Sequence, residues 1–498
     1  MAESEDNIIF GSELTGNRQY DCDVCIIGSG PGGAVAAKEL SEKGRDVILI
    51  EEGPLPKKAS EISPDQVVMK YYRDSGLVST YWPSVFPIPT GRVFGGTSVI
   101  NSGTCFPTPD FILSWWREAL GVSFDVTAWR GYESEIAREL SIRPVSEELM
   151  GISCKLFADG LKRLNRPGGA PLSRCEIGCD GRGLCCFICP KEAKQSVNLN
   201  YLKEALKKGV RCFVETEAFR LNVDRMRARE VVCESKAGGR LRIRAKTFVL
   251  AMGALRTAQF LIENGFRRHY PMIGKNLSIH PAAKVFALMD DRVEAWRGVP
   301  QAYGYNPPEK PNVHFEGVFV PPFLAAIGIH FLGEDLIEWM KNYDRMVGMG
   351  FFIADSQYGT LDAVPRVGPV IRYGLTPADI DGFHFAMKLI ARVYFEMGAR
   401  KVLFPVVAPN NTFNSYGEVE SGFPREGLKS EQLTGMGFHP LGTCRFSPDT
   451  QTGVIDSSGK LHLHKNIYIC DGSAIAGPLH VNPQVTIMAF AKHVARNL

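Results

Sequence analysis

Apolar positions along the chain fall into two kinds of pattern. Residues 24–27 (VCII) and 47–50 (VILI) are continuous apolar runs, as expected of strands buried on both faces. Between them residues 34–40 (AVAAKEL) are strong helix formers, closed by Gly44. FILSWWREAL and WRGYESEIAREL carry apolar residues at helical spacing, so residues 110–165 read as helices. Residues 199–208 predict a further helix ended by Gly209, and residues 212–214 a short strand. Residues 217–250 alternate like an antiparallel meander and end in the apolar run TFVL. A glycine turn and a helix follow in AMGALRTA. From 285 to 430 the pattern becomes irregular strands rich in aromatics, proline and glycine, and the last sixty residues return to strand, turn and helix. Residues 1–20 read as a mobile leader. No internal repeat or low-complexity segment is present.

The first two strands frame Gly28-Ser-Gly30-Pro31-Gly-Gly33. Gly28 permits a tight turn, Gly30 lets backbone approach a pyrophosphate, and Gly33 lets the helix pack closely on the strand. The helix N-terminus then faces the phosphates. Glu51 ends the second strand, where a carboxylate suits two ribose hydroxyls and repels a 2′-phosphate. The pattern fits either NAD or FAD. Its place at the start of a long chain leans towards FAD, whose extended body is usually gripped by further distant segments.

Composition narrows the class. The 498 residues allow two domains, or one large domain with insertions. A hydrophobic fraction of 45% and a charged fraction of 22% are ordinary for a globular chain. The net charge of +3, without a basic run, gives no footprint for nucleic acid. MAESEDNIIFGSELTG has neither the charged nor the apolar region of a secretory signal, so a cytoplasmic setting is expected. No stretch reads as a transmembrane segment. GVFVPPFLAAIGIHFLG (residues 317–333) is uncharged apart from a histidine but short and broken by prolines. It is read either as a greasy loop over a substrate mouth or as a plain buried loop and helix.

Two more glycine-bearing segments carry candidate chemistry. In GRVFGGTSVINSGTC, Gly95 and Gly96 let backbone lie against a flat ring or phosphate, with Thr97, Ser98 and Asn101 as hydrogen-bonding groups. Asp471-Gly472 follows the apolar run 467–469 and puts an acid at a strand end, within reach of ribityl or pyrophosphate. Five of the thirteen cysteines lie between positions 175 and 189. Cys179, Cys185, Cys186 and Cys189-Pro are candidate ligands for an iron–sulfur cluster. Zinc, or buried thiols with no metal, are the alternatives.

Five segments in order resemble the glucose–methanol–choline (GMC) oxidoreductase family. They are GSGPGG with Glu51, GRVFGGTSVIN, AMGALRTAQFLIENG beginning at Ala251, GKNLSIHP, and the C-terminal pair FHPLGTC and CDGSAIAGPLHVNPQVTI. The resemblance implies an α/β fold: a Rossmann-like FAD-binding domain from residues 21–110, 200–284 and 435–498, a helical and cysteine-rich insertion at 111–199, and a substrate domain with an antiparallel sheet at 285–434. It implies that His439 takes the hydroxyl proton of an alcohol, that Asn482 orients the alcohol oxygen, and that hydride passes to flavin N5. His480 is the alternative second polar group, and His280 is expected to be structural. Ile100 stands where some members attach flavin through a histidine, so FAD is expected to be non-covalent. Some members carry an iron–sulfur cluster in a cysteine-rich insertion, which implies a dehydrogenase passing electrons to an acceptor protein. The aromatic, proline-rich substrate region suggests an apolar or ring-shaped alcohol. A non-redox lyase or photoenzyme on the same fold, and a catalytically silent electron-transfer subunit, are the rival readings.

Overall fold

Parallel strands buried on both faces gather first. In this computed structural model, which describes residues 7–329, 331, 333–364 and 368–498, they run in the order Ile8–Phe10, Arg211–Val214, Val47–Ile50, Asn17–Ile27 and Arg240–Leu250. Ile467–Ile469 also pairs in parallel with the end of Arg240–Leu250. Arg227–Ser235 and Thr216–Asp224 complete the sheet as an antiparallel meander, as the alternation over 217–250 predicts. Residues 7–20 are not a loose leader. Ile8–Phe10 pairs with Arg211–Val214, and Asn17 already belongs to the first long strand. Three apolar residues are enough for an edge strand when a distant partner supplies the ladder. Residues 1–6 lie outside the described residues.

One face of this sheet is covered by the helices Pro31–Glu42, Tyr201–Lys207 and Gln484–Arg496. They are tied by a buried charge cluster. The Lys492 side chain is 1% exposed, and its Nζ lies 2.6 Å from Glu39 Oε1, 3.2 Å from Glu135 Oε2 and 3.4 Å from Glu139 Oε2. Arg496 joins Glu39 and Glu135 from the next turn. The cluster links the first helix, Val126–Glu139 and the last helix.

The second sheet is antiparallel: Thr412–Phe413, Ala399–Leu403, Pro281–Met289, Met346–Ile353, Val313–Gly317, Tyr303–Tyr305 and Ala170–Pro171. Side chains alternate between its faces. Val313, Phe351 and Ile353 turn to the 20-residue helix Pro377–Glu396, with Gly382 and Phe383 against them. Sequence periodicity missed this helix because it is buried on several sides. Its start was marked, however, by Thr376, Pro377 and Asp379, which form a capping box. The opposite face carries Ala282, Phe352 and His314 in one cross-strand row, and Lys284, Gly350 and Glu316 in the next. That face looks towards the C-terminal histidines.

The edge strand Ala170–Pro171 and the helix Ile152–Arg163, which packs on Pro377–Glu396, build part of 111–199 into the substrate layer. The apolar run at 317–333 contains the helix Pro322–Gly328; residues 330 and 332 lie outside the described residues. Among the described residues no helix is long and apolar enough to cross a membrane.

Lys492→Ala leaves Glu39 buried without its closest cation. It is expected to cost about 3–5 kcal/mol in chemical unfolding. A loss below about 1 kcal/mol contradicts a structural role for the cluster.

Candidate active site

Three remote segments meet at backbone contact. A Cβ on Gly96 would come within 2.7 Å of the Gly30 Cα, one on Gly32 within 1.9 Å of the Cys470 carbonyl oxygen, and one on Gly33 within 1.9 Å of the Gly28 oxygen. Gly28 has φ 103° and turns beside Ala251, whose N–H donates to the Ile27 carbonyl. Pro31 opens the helix. A Cβ on Gly30 itself would meet nothing closer than 3.9 Å, so the loop is open on that side. This is a cradle for an anion at a helix N-terminus.

The acids predicted to grip the cofactor also hold the cradle together. Glu51 Oε2 accepts from the Ser29 N–H at 3.0 Å and the Ser29 hydroxyl at 2.5 Å, and Glu51 Oε1 accepts from the Gly53 N–H at 2.7 Å. Ser29 Oγ in turn accepts from the Gly95 N–H, which ties the first glycine loop to the second. Asp471 accepts from the Gly253 N–H, the Thr257 hydroxyl, and both the N–H and hydroxyl of Ser473. Its four acceptor positions are filled. Asp471 therefore acts as a buckle between strand ends, and the neighbouring Gly472 is buried, its carbonyl accepting from the Gly442 N–H. Burial raises both carboxyl groups above the usual range, against these hydrogen bonds.

Ser98 Oγ donates to the Gly95 carbonyl. Asn101 Nδ2 donates to Gln484 Oε1 at 2.6 Å, whose Nε2 is buried without a partner. The backbone carbonyls of Val99 and Asn101 are held by the buried Lys194 Nζ at 2.8 and 2.7 Å.

At the far end, residues 278–280 pair with 439–441. The His439 N–H donates to the Ile279 carbonyl, and Ser278 and Leu441 exchange hydrogen bonds. Asp355 accepts from the N–H groups of Ile279 and His280, the Ser278 hydroxyl and the Tyr373 hydroxyl, and burial pushes it up to about 6. This brings His280 Nδ1 within 3.0 Å of His439 Nδ1. His439 Nε2 lies 3.3 Å from Asn482 Nδ2, which is 3.3 Å from Glu316 Oε2. Asn482 Oδ1 is buried and unpartnered. His480 instead faces His314, at 3.3 Å. Phe352 underlies the group: His280 and His314 stack on it at 5.1 and 4.8 Å, and His439 meets it edge-on at 5.5 Å. Burial holds His439 down to about 3, so it is neutral at ordinary pH.

The structure sets His439 beside Asn482, the two residues the family resemblance singles out, and puts His280, expected to be structural, in direct contact with His439. Sequence reasoning missed Glu316 and His314 altogether. Their alternation in VHFEG was readable, but the row that aligns them with Phe352 and Gly350 was not.

The candidate iron–sulfur ligands Cys179, Cys185, Cys186 and Cys189 are not brought together. Among the described residues no group of three or more His, Cys, Asp or Glu is arranged to hold a metal ion. Cys185–Phe187 is a 3₁₀ turn, on which adjacent side chains diverge. Cys185 Sγ accepts from Arg174 at 3.0 Å, Cys186 lies near Lys194, and Cys179 and Cys189 are half-buried. All thirteen cysteines are free thiols. Cys175 pairs with Cys105, and that contact lowers it to about 7 despite burial, with help from Lys194 and Arg174.

The chain matches the GMC oxidoreductase family description over residues 68–282 and again over 360–491, and an FAD binding domain over 21–106. It is 32% identical to an uncharacterised GMC-type oxidoreductase of Mycobacterium tuberculosis, over 95% of this chain and 75% of that one. This protein belongs to the GMC oxidoreductase family. A long-chain-alcohol oxidase of Arabidopsis thaliana is 23% identical, over 98% of this chain and 68% of its own. Pyridoxine 4-oxidase from Mesorbium loti has the same fold, with a TM-score of 0.71 at 17% identity, covering 96% of this chain and 99% of that one. The GMC cradle fits FAD: the glycine loops lie open beside Gly30, and Gln484 Nε2 and Asn482 Oδ1 stand unpartnered between Asn101 and His439.

Ser29→Ala removes the hydroxyl that joins Glu51 to Gly95. Flavin release on dilution, followed by absorbance, is expected to increase about tenfold, from the loss of two buried hydrogen bonds. Unchanged retention shows that the two loops do not depend on this link.

Proposed function

We propose that this GMC oxidoreductase oxidises the CH–OH group of an apolar alcohol to a carbonyl, with His439 as base and Asn482 as the group that orients the alcohol oxygen. The observation that carries the reading is the neutral, half-buried His439 set 3.3 Å from Asn482 Nδ2 and backed by His280. A neutral imidazole can accept a hydroxyl proton, and a fixed amide can bond the oxygen without competing for it. When bound, FAD supplies the acceptor for the hydride from the carbinol carbon.

The chain's own part is to hold the proton path. The Leu479 N–H donates to His280 Nε2 at 3.1 Å. Neutral His280 therefore carries its proton on Nδ1 and gives it to His439 Nδ1, which leaves the His439 proton on Nε2. Moving each proton one place towards Leu479 bares Nε2 for the alcohol, at the cost of setting the His280 Nε2–H against the Leu479 N–H. Phe352 edge-on to His439 and Phe111 edge-on to His480 at 5.2 Å give the site aromatic walls. They support an apolar or ring-shaped substrate, and the long-chain-alcohol oxidase relative points the same way. With no gathered cysteine set to support a cluster among the described residues, oxygen or a diffusible acceptor is the proposed oxidant of the reduced enzyme, and a protein acceptor is the alternative. Free thiols throughout support a reducing, cytoplasmic setting.

His439→Ala is expected to slow anaerobic flavin bleaching by an alcohol about 10²–10⁴-fold while flavin content stays the same. A variant that bleaches at the wild-type rate contradicts the base assignment.

A further inference from the structure

We propose that Glu316 is a positioning residue for the His439–Asn482 pair, its proton deciding which end of the Asn482 amide faces His439. The inference rests on the alcohol-oxidising reading of the site.

The geometry is a shared amide end. One terminal atom of Asn482 lies 3.3 Å from both Glu316 Oε2 and His439 Nε2, and the other is buried without a partner. An amide nitrogen only donates and an amide oxygen only accepts. Ionised Glu316 only accepts, so it takes the NH₂ group. The same NH₂ then points at His439 Nε2, which has to be bare. Protonated Glu316 donates, so it takes the amide oxygen. That oxygen then also accepts from a protonated His439 Nε2.

The relay from Leu479 selects between these states. With the Leu479 N–H on His280 Nε2, the His439 proton sits on Nε2, and an NH₂ group opposite it sets two donors face to face. At the shared end of the amide, the donors from Leu479, His280, His439 and Glu316 all find acceptors only when Glu316 is protonated, and the Asn482 NH₂ then takes the end that has no protein partner. Burial acts in the same direction, pushing the carboxyl up to about 7 against hydrogen bonds from Asn482 and Gln301. Ionising Glu316 reverses the amide, bares His439 Nε2 and readies it as a base.

Other groups face this carboxyl. Lys284 lies across Gly350 in the same cross-strand row. Arg174 approaches from Ser173–Cys175 and favours the ionised form. His314 lies two residues away on the same strand, and His480 contacts His314. Burial depresses both of these imidazoles, His314 to about 3, so they are neutral where Glu316 titrates. Among the described residues no cation forms an ion pair with Glu316 within 4.0 Å.

Infrared pH titration of flavin-loaded wild type and E316Q reads the proton directly. The expected result is a carboxylic-acid carbonyl band that fades as pH rises through neutrality and is missing from E316Q at every pH. No difference between the two proteins in this band at any pH overturns the proposal, whether or not an alcohol is oxidised. With an alcohol that bleaches the flavin, the wild-type reduction rate is expected to rise with pH along the same titration, and that limb is expected to be absent in E316Q. An E316Q profile that superposes on wild type overturns the proposal. E316L is expected to lower the limiting rate on the order of a hundredfold with little change in the half-saturating alcohol concentration; a wild-type limiting rate in a folded, flavin-loaded E316L contradicts it. Failure of every alcohol to bleach the flavin defeats the proposed function alone, and the infrared comparison still decides the state of Glu316.

Discussion

Where Gly30 meets Gly96, and Gly32 meets the Cys470 carbonyl, there is no room for a single added carbon. Three segments remote in sequence are forced into backbone contact there, and everything else is arranged around that contact. The parallel strands end at it, the first helix starts from it, and Ser29, Glu51 and Asp471 spend their hydrogen bonds keeping it closed. A side chain at Gly32 or Gly33 would push the strand ends apart and open the cradle. The carboxylates that look from the sequence like cofactor ligands are thus first of all braces, and their burial is the cost of that role.

The second constraint is the strict alternation of the antiparallel sheet. One face packs on the helix Pro377–Glu396 through Val313, Phe351 and Ile353, and the other is left for chemistry. Phe352 gives a flat apolar floor on which His280 and His314 stack and against which His439 stands on edge. Gly350 lies beside it between Lys284 and Glu316, where a Cβ would come within 2.9 Å of the Glu316 carbonyl oxygen and 3.2 Å of Val318. The strand register thereby fixes which acid can reach Asn482. A shift of one residue would turn Glu316 towards the helix and disconnect it from the pair.

The parallel core was legible because strands buried on both faces and a glycine loop leave local signals. His439 and Asn482 were legible through motif alone; nothing in their local pattern says that they touch. Glu316 and His314 were hidden because their meaning depends on pairing with strands some thirty to forty residues away. The strand Ile8–Phe10 was hidden for the same reason, its partner lying two hundred residues downstream. The cysteine run misled in the opposite way. Its spacing suggested a metal site, whereas the thiols sit beside the cations Arg174 and Lys194 and among the described residues form no group arranged to hold a metal ion.

The central claim is that His439 and Asn482 serve removal of a hydrogen from a carbinol carbon. Anaerobic stopped-flow reduction of the bound flavin, with an apolar primary alcohol and its analogue deuterated at the carbinol carbon, tests it most directly. The account predicts bleaching with a normal primary isotope effect on the limiting rate. A flavin that stays oxidised with every alcohol offered, or bleaching that is insensitive to deuterium even when reduction itself is rate-limiting, would contradict it.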